Sequence, residues 1–423
     1  MIGVHGYCVC HAARTPIRLM PERTSRCAGH FTLSSGLGAL AKSWERMKRH
    51  DHYLTIDILR IFAAILVLLN HFATFGWETA SVVEGDQVAF GFLSAFAGLG
   101  AVGVEIFFVI SGFVIAMSAS GDGGLSQALR FTRIRAIRIL PALWLSALVS
   151  LIARACYGED LTLLLMDFCR SVILSPKGPY IDGVVWSLVV EAIFYFLVAI
   201  AILSKFRLSL YDLAKVIGFS STVYVLIFSG LHLAPHFAKS DEWISILSRF
   251  QFKALLLQHG VFFAVGMILF SIKADREKHG RREWKLVLLS VFSAMGMVEI
   301  FMSVERPNEY KIIAIVIWVM CMCAMAAGIR YADLVGSYLE KHKAIIIYLG
   351  GLSYPIYLNH YSVGMIIVWA VCSSGLPAGI AFVLSASIVL GLSMGVMWLE
   401  RKIQTAVKSW FPNPSRKGVK LAV

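Results

Sequence analysis

The chain has 423 residues, 58% of them hydrophobic and only 15% charged, with a mean hydropathy of +0.73. Soluble domains are nearer half apolar and a quarter charged, so this composition excludes an ordinary soluble protein and indicates an integral membrane protein. The net charge of +13 would suit nucleic acid, but Lys and Arg stand in short runs between apolar stretches, the positive-inside pattern that removes that partner.

Residues 1–50 hold no sustained apolar core and no small-residue cleavage site, so they read as a basic arm rather than a signal peptide. Met47 opens MKRHDHYL directly before the first apolar stretch and is an alternative start. A helix needs about 20 apolar residues to cross the hydrocarbon core. Ten candidates are predicted: 56–75, 98–119, 138–157, 183–203, 211–231, 253–272, 285–303, 311–329, 346–372 and 377–399. The sixth and the ninth have the softest edges.

The connections alternate in charge. Arg46, Lys48 and Arg49 precede the first span; Trp77–Ala97 holds Glu78, Glu84 and Asp86 but no Lys or Arg; then come Arg130, Arg133 and Arg135. Later basic connections hold Lys205 with Arg207, the run Lys273–Lys285, and Lys341 with Lys343. The expected fold class is thus an all-α polytopic membrane protein of about ten transmembrane helices with both termini cytoplasmic. Its membrane domain covers 51–402, followed by a basic cytoplasmic tail over 403–423. Eight cysteines show neither zinc nor thioredoxin spacing and read as small apolar side chains, although Cys156 and Cys169 flank one connection.

Several spans carry residues that a bilayer tolerates poorly. YLTIDILRIFAAILVLLNHF contains Arg60 and His71, eleven positions apart. They fall within about 20° of one face but about 16 Å apart along the axis, and Asp57 lies one turn before Arg60. A snorkelling arginine and a packing histidine are the alternative reading. GVEIFFVISGFVIAM places Glu105 early, near the outer interface, with Ser111-Gly112 suited to close helix packing. In RFTRIRAIRILP, Arg135 and Arg138 share a face with Arg133 nearby, and Pro141 suits the first turn of the next span. Such guanidinium groups suit either phosphate capture or anchoring to acidic lipids. DGVVWSLVVEAIFYF sets Ser187, Glu191 and Tyr195 in one polar stripe, which is the hardest of these to explain by packing. LGGLSYPIYLNHYSVG puts Ser353, Tyr357 and either His360 or Tyr361 on one side, with Pro355 expected to bend the helix. There is no Walker lysine loop and no GxSxG elbow, and His232, His236 and His259 lack helical metal-ligand spacing, so no metal is expected.

Taken in order, these motifs resemble the membrane-bound acyltransferase-3 family, bacterial proteins that O-acylate surface polysaccharides and other glycans. The resemblance covers about 52–400 and rests on Arg60-x10-His71, GVEIFFVISGF, Arg135-x2-Arg138 before Pro141, WSLVVEAIFY and SYPIYLNH. The last motif is most similar to the exopolysaccharide acyltransferase branch. Ile61 stands where the family often has Gly, and Ala192 and Ile193 where it often has polar residues, departures that bear on substrate fit. The chain is similar to members that use a single membrane module.

The resemblance implies a multi-pass protein of the bacterial inner membrane. Its co-substrate would be acyl-CoA, most often acetyl-CoA, with no permanently bound cofactor. Its acceptor would be a sugar hydroxyl on a surface polysaccharide or lipid-linked glycan. It implies His71 as general base, Arg60 as a charge facing the donor phosphate or the oxyanion, and Glu191 as a carboxylate that orients His71 or Arg60 or binds sugar hydroxyls. Arg135, Arg138 and Arg133 would hold the CoA phosphates. Asp57, Glu105, Trp186, Ser187, Tyr195, Ser353, Tyr357 and His360 would line the pocket. The rival reading is a glycan or lipid flippase or a proton-coupled transporter, which buried Glu, His and Arg would serve equally. Neither reading sets the oligomeric state.

Overall fold

The computed structural model describes residues 53–74, 90–121, 123–205, 209–233, 239–278, 283–304 and 306–410. The basic arm expected over 1–50 lies outside these residues. In chain order the helices are α1 (Leu54–Thr74), α2 (Gly100–Ala119), α3 (Leu125–Cys156), α4 (Leu161–Val172), α5 (Val185–Leu203), α6 (Leu210–Leu233), α7 (Ser240–Leu247) and α8 (Phe250–Ala254). They continue as α9 (Gly260–Lys278), α10 (Glu283–Ser303), α11 (Asn308–Arg330), α12 (Ala332–Tyr338), α13 (Lys343–Asn359), α14 (Ser362–Cys372) and α15 (Ala378–Trp410). Two short 3-10 turns, Gly91–Phe96 and Glu340–His342, complete the regular structure, and no strand occurs among the described residues.

The chain is an all-α polytopic membrane protein. Among the described residues, eight helices are long and apolar enough to cross a bilayer, and α13 with α14 adds a ninth if that bent pair is one span. Of the ten predicted spans, the third, the sixth and the ninth change most. Instead of a helix over 253–272, α8 stops at Ala254, Leu256 takes a left-handed backbone (φ 61°), and α9 starts only at Gly260. The end of α9 is charged from Lys273 onward, which shortens its apolar length. The ninth span breaks at His360–Tyr361 with a 75° bend, not at Pro355, which lies inside α13. The third span also differs: α3 begins at Leu125 and runs unbroken through Pro141, because the preceding Arg, Ala and Ile residues favour helix. At the far end, α15 runs on to Trp410, into the expected tail. Cys156 and Cys169 are free and exposed.

Burial follows composition. Helix α2 is apolar around its whole circumference, as is the first half of α9, where Val261, Phe262, Phe263, Ala264 and Val265 are all buried in succession. Elements without a polar face belong at the centre of a bundle, and α2 and α9 pack against each other there. A Cβ at Gly112 would collide with the Phe263 backbone, and one at Gly266 with the Val109 carbonyl, so the two main chains touch directly. Gly103 brings α1 equally close, since a Cβ there would lie 2.7 Å from the Ala63 carbonyl oxygen. Peripheral helices keep an apolar outer stripe, as with Val216, Phe219, Val223 and Leu226 on α6, the surface that faces lipid.

Candidate active site

Helices α1 and α13 run side by side, with Gly350 against Asp57 at one end and His360 against His71 at the other. The His71 ring centroid lies 5.1 Å from that of His360 and 4.5 Å from that of Tyr361. His360 is fully buried, and its Nδ1 faces the carbonyl oxygens of Tyr357 (2.8 Å) and Ile356 (3.2 Å). A ring nitrogen facing two carbonyls carries the hydrogen, so the lone pair of His360 is on Nε2, which has no hydrogen-bond partner among the described residues.

The α13–α14 break that presents Tyr361 to His71 is fixed by the loop before α5. Asp182 Oδ2 accepts the Ser362 N–H (2.9 Å), and Oδ1 accepts the Val184 N–H (3.1 Å). Ser362 Oγ donates to the Ile181 carbonyl at 3.2 Å. Arg154, at the end of α3, donates to the same carbonyl (2.8 Å) and grips Glu159 through Nε and Nη2 at 2.9 and 2.6 Å. Burial pushes the Asp182 carboxyl up to about 6, against the opposing pull of the two backbone N–H groups.

Toward the end of the bundle where α1 begins, Ser187 Oγ and the Tyr357 hydroxyl lie 2.7 Å apart, and Ser187 also donates to the Val184 carbonyl. One turn on, Glu191 Oε1 accepts hydrogen bonds from Ser111 on α2 and from the Tyr195 hydroxyl (2.5 Å). Arg60 pairs with Asp57 at 3.3 Å and lies within electrostatic reach of Arg138, Tyr195 and Glu191. Arg135 donates to Ser118 at 2.5 Å, and its guanidinium stands 5.7 Å from the Phe131 ring and 6.0 Å from that of Tyr195. Three guanidinium groups thus gather beside one bonded carboxylate, an arrangement suited to holding phosphate.

The structure therefore joins the expected residues into two linked groups, His71 with His360 and Tyr361, and Arg60 with Asp57, Glu191, Tyr195, Arg135 and Arg138. Ser187 leaves the polar stripe of α5 to meet Tyr357. Ser353 is buried but donates to the Gly350 carbonyl of its own helix (2.7 Å). Arg133 is exposed on α3. Trp186 points to another face, its ring 5.4 Å from His259 and 5.5 Å from Lys253 Nζ.

Glu105 is enclosed by protein: it is 1% exposed and meets His259 and Glu299, with ligand atoms of all three within 4.8 Å of one another. That trio is the one cluster among the described residues that could hold a metal ion. Sequence reasoning did not find it, because its members come from three elements rather than from one helix face. It also missed Asp182, whose signal is an Asp-Gly pair before a helix start, and Tyr354, which donates to the Ile139 carbonyl (3.1 Å).

A family model described as an acyltransferase domain, that of the acyltransferase-3 family, matches residues 53–399. No curated protein and no solved structure matches the chain.

Proposed function

Since the chain belongs to the acyltransferase-3 family, and is thereby a multi-pass membrane acyltransferase, we propose that it moves an acyl group, most often acetyl, from acyl-CoA to a sugar hydroxyl of a surface polysaccharide or lipid-linked glycan. The observation that carries this reading is the pair of polar groups on α1. An imidazole–tyrosine group surrounds His71, and an arginine–carboxylate group surrounds Arg60, about 16 Å away along the helix.

In this reading the donor enters from the cytoplasm of a bacterial inner membrane, at the Arg60 end. Arg135 and Arg138, with Arg133 at the mouth, take the CoA phosphates, and Glu191 with Asp57 holds the guanidinium groups in place. The acceptor hydroxyl comes from the His71 end. His71 takes its proton as the oxygen attacks the thioester carbonyl to give the tetrahedral oxyanion. Arg60, paired with Asp57 and about 16 Å from His71 by helical rise, holds the phosphate-bearing end of the donor. Collapse breaks the C–S bond, and the proton on His71 goes to the departing CoA thiolate. The ester and free CoA are the products, and no redox step or bound cofactor is required. Tyr361 and His360 set the orientation of the His71 ring.

The test is direct. The purified protein, given acetyl-CoA and a panel of sugar acceptors, should release free CoA thiol, and His71→Ala should insert in the membrane yet release none. Normal acylation by His71→Ala would refute the base assignment. Failure of the unaltered protein to consume any acyl-CoA would favour transport, which the buried titratable groups along α1, α5 and α13 would also serve.

A further inference from the structure

The trio of Glu105, His259 and Glu299 takes no part in the mechanism above. Glu105 comes from the first turns of α2, His259 immediately precedes α9, and Glu299 sits near the end of α10. The three are 1%, 6% and 3% exposed. Neither Glu105 oxygen, neither His259 ring nitrogen and not Glu299 Oε2 has a hydrogen-bond partner among the described residues. Glu299 Oε1, by contrast, accepts from Gln258 Nε2 (3.0 Å) and Ser303 Oγ (2.7 Å), and Gln258 also reaches Ser303. His259 Nδ1 lies 3.4 Å from the same Oε1, without hydrogen-bond geometry. Phe108, Trp186 and Phe262 wall the imidazole, with ring centroids at 5.5, 5.4 and 6.4 Å.

Two carboxylates this close in a dry site need either a shared proton or a cation between them. A shared proton would satisfy one carboxylate pair but leave His259 Nε2 without a partner and Nδ1 with only the poorly aligned 3.4 Å contact to Glu299. A metal ion answers all the groups at once. Ligand atoms of a tetrahedral zinc site stand about 3.5 Å apart, so side-chain rotation alone converges three atoms already within 4.8 Å. Gln258 and Ser303 act as the outer hydrogen bonds that aim a ligating carboxylate, and the aromatic wall excludes competing water. One imidazole and two carboxylates, without thiolate, select a divalent ion of the Zn²⁺, Mn²⁺ or Fe²⁺ kind.

We propose that Glu105, His259 and Glu299 form a binding site for a divalent transition-metal cation that pins α2 to the start of α9 and to α10. The site stands apart from the acyl-transfer residues, so it holds or fails independently of the function proposed above.

The full-length protein, purified in detergent and stripped with a chelator, is titrated with Zn²⁺ alone and then with Mn²⁺ alone. One saturable equivalent should bind and raise the thermal midpoint. Glu105→Gln and Glu299→Gln should each weaken that binding by ~100-fold or more, as expected for loss of a ligand rather than of an outer contact. Because a buried variant can fail to fold, X-ray absorption on the zinc-loaded unaltered protein supplies a second reading: one imidazole nitrogen with oxygen ligands, and no sulfur. Absence of saturable binding by either ion, a sulfur shell, or unchanged affinity in both folded variants would overturn the site.

Discussion

The carboxylate of Asp182 accepts the backbone N–H of Ser362 at 2.9 Å across 180 positions of sequence, so a loop before α5 caps the first turn of α14. Without that acceptor, the N–H groups freed by the 75° bend would be buried unpaired. The cap therefore sets where the ninth span breaks, and with it the place of Tyr361 beside His71.

Asp182→Ala should cost about 1–2 kcal/mol of stability, the usual worth of a helix cap. It should also lower kcat for acyl transfer while leaving the KM for acyl-CoA in place, because the donor-side arginines are not disturbed. Asp182→Asn keeps an acceptor and should recover part of both losses. Thermal midpoints and CoA-release kinetics on the two variants check this; equal damage from Asn and Ala would show that charge, not the cap, is what matters.

Asp182 also predicts a pH dependence. Its carboxyl rises from an ordinary 3.8 to about 6 in the folded protein. Between those values the folded state holds a proton that the unfolded state has released. Stability should therefore fall as pH rises from about 4 to 6, by on the order of 3 kcal/mol from this group, and then level off. Asp182→Asn should flatten the slope of thermal midpoint against pH in that window, and a slope identical to that of the unaltered protein would assign it to another group.

His71 and His360 should separate cleanly. His71→Ala is expected to lower kcat by at least ~100-fold, the usual share of a general base, with little change in thermal midpoint. His360→Ala should act mainly on stability, because it leaves a cavity and strips a donor from the Tyr357 and Ile356 carbonyls. The reverse pattern would make His360, through Nε2, the base.

Glu191 depends on its two donors. Ser111→Ala or Tyr195→Phe should each cost about 1–3 kcal/mol, because each leaves a buried carboxylate short of a partner. The double variant should be less than additive, since both act on one oxygen. Glu191→Gln should lower activity more than either, through loss of the charge beside Arg60. Additive losses in the double-mutant cycle would mean that the two hydroxyls serve separate purposes.

On the donor side, Arg135→Ala should raise the KM for acyl-CoA by about 10-fold or more, and Arg135→Lys should restore little of it, because a lysine supplies charge without the guanidinium fork. Arg133→Ala, at an exposed position, should change it by less than about 3-fold. Equal effects at both positions would reduce the cluster to general attraction for anions.

What the sequence makes legible here is whatever a single helix determines. Arg60 and His71 lie on α1, with Arg60 bonded to Asp57 one turn earlier, and Glu191 and Tyr195 are bonded four positions apart on α5, because helical spacing alone places them. Spacing does not choose partners: Ser187 shares that stripe but turns to Tyr357, supplied from far along the chain. Pro355 is the local sign of a bend, yet the helix breaks five residues later where Asp182 can accept the exposed N–H. Glu105 reads as an interfacial carboxylate for the same reason. Nothing within α2 announces that His259 and Glu299 will close over it, since three separate elements must first be packed.

The glycine contacts between α2 and α9 have a mechanical consequence. Where Gly112 meets Phe263 and Gly266 meets Val109, main chain rests on main chain with no side chain between them. Such a joint has no rotamers to adjust, so it can neither slide nor spread without losing contact altogether. It is a fulcrum. Glu105 rides on α2 itself and His259 stands at the start of α9, so the trio is carried by this joint, and α1 with His71 is fastened to it where Gly103 meets Ala63.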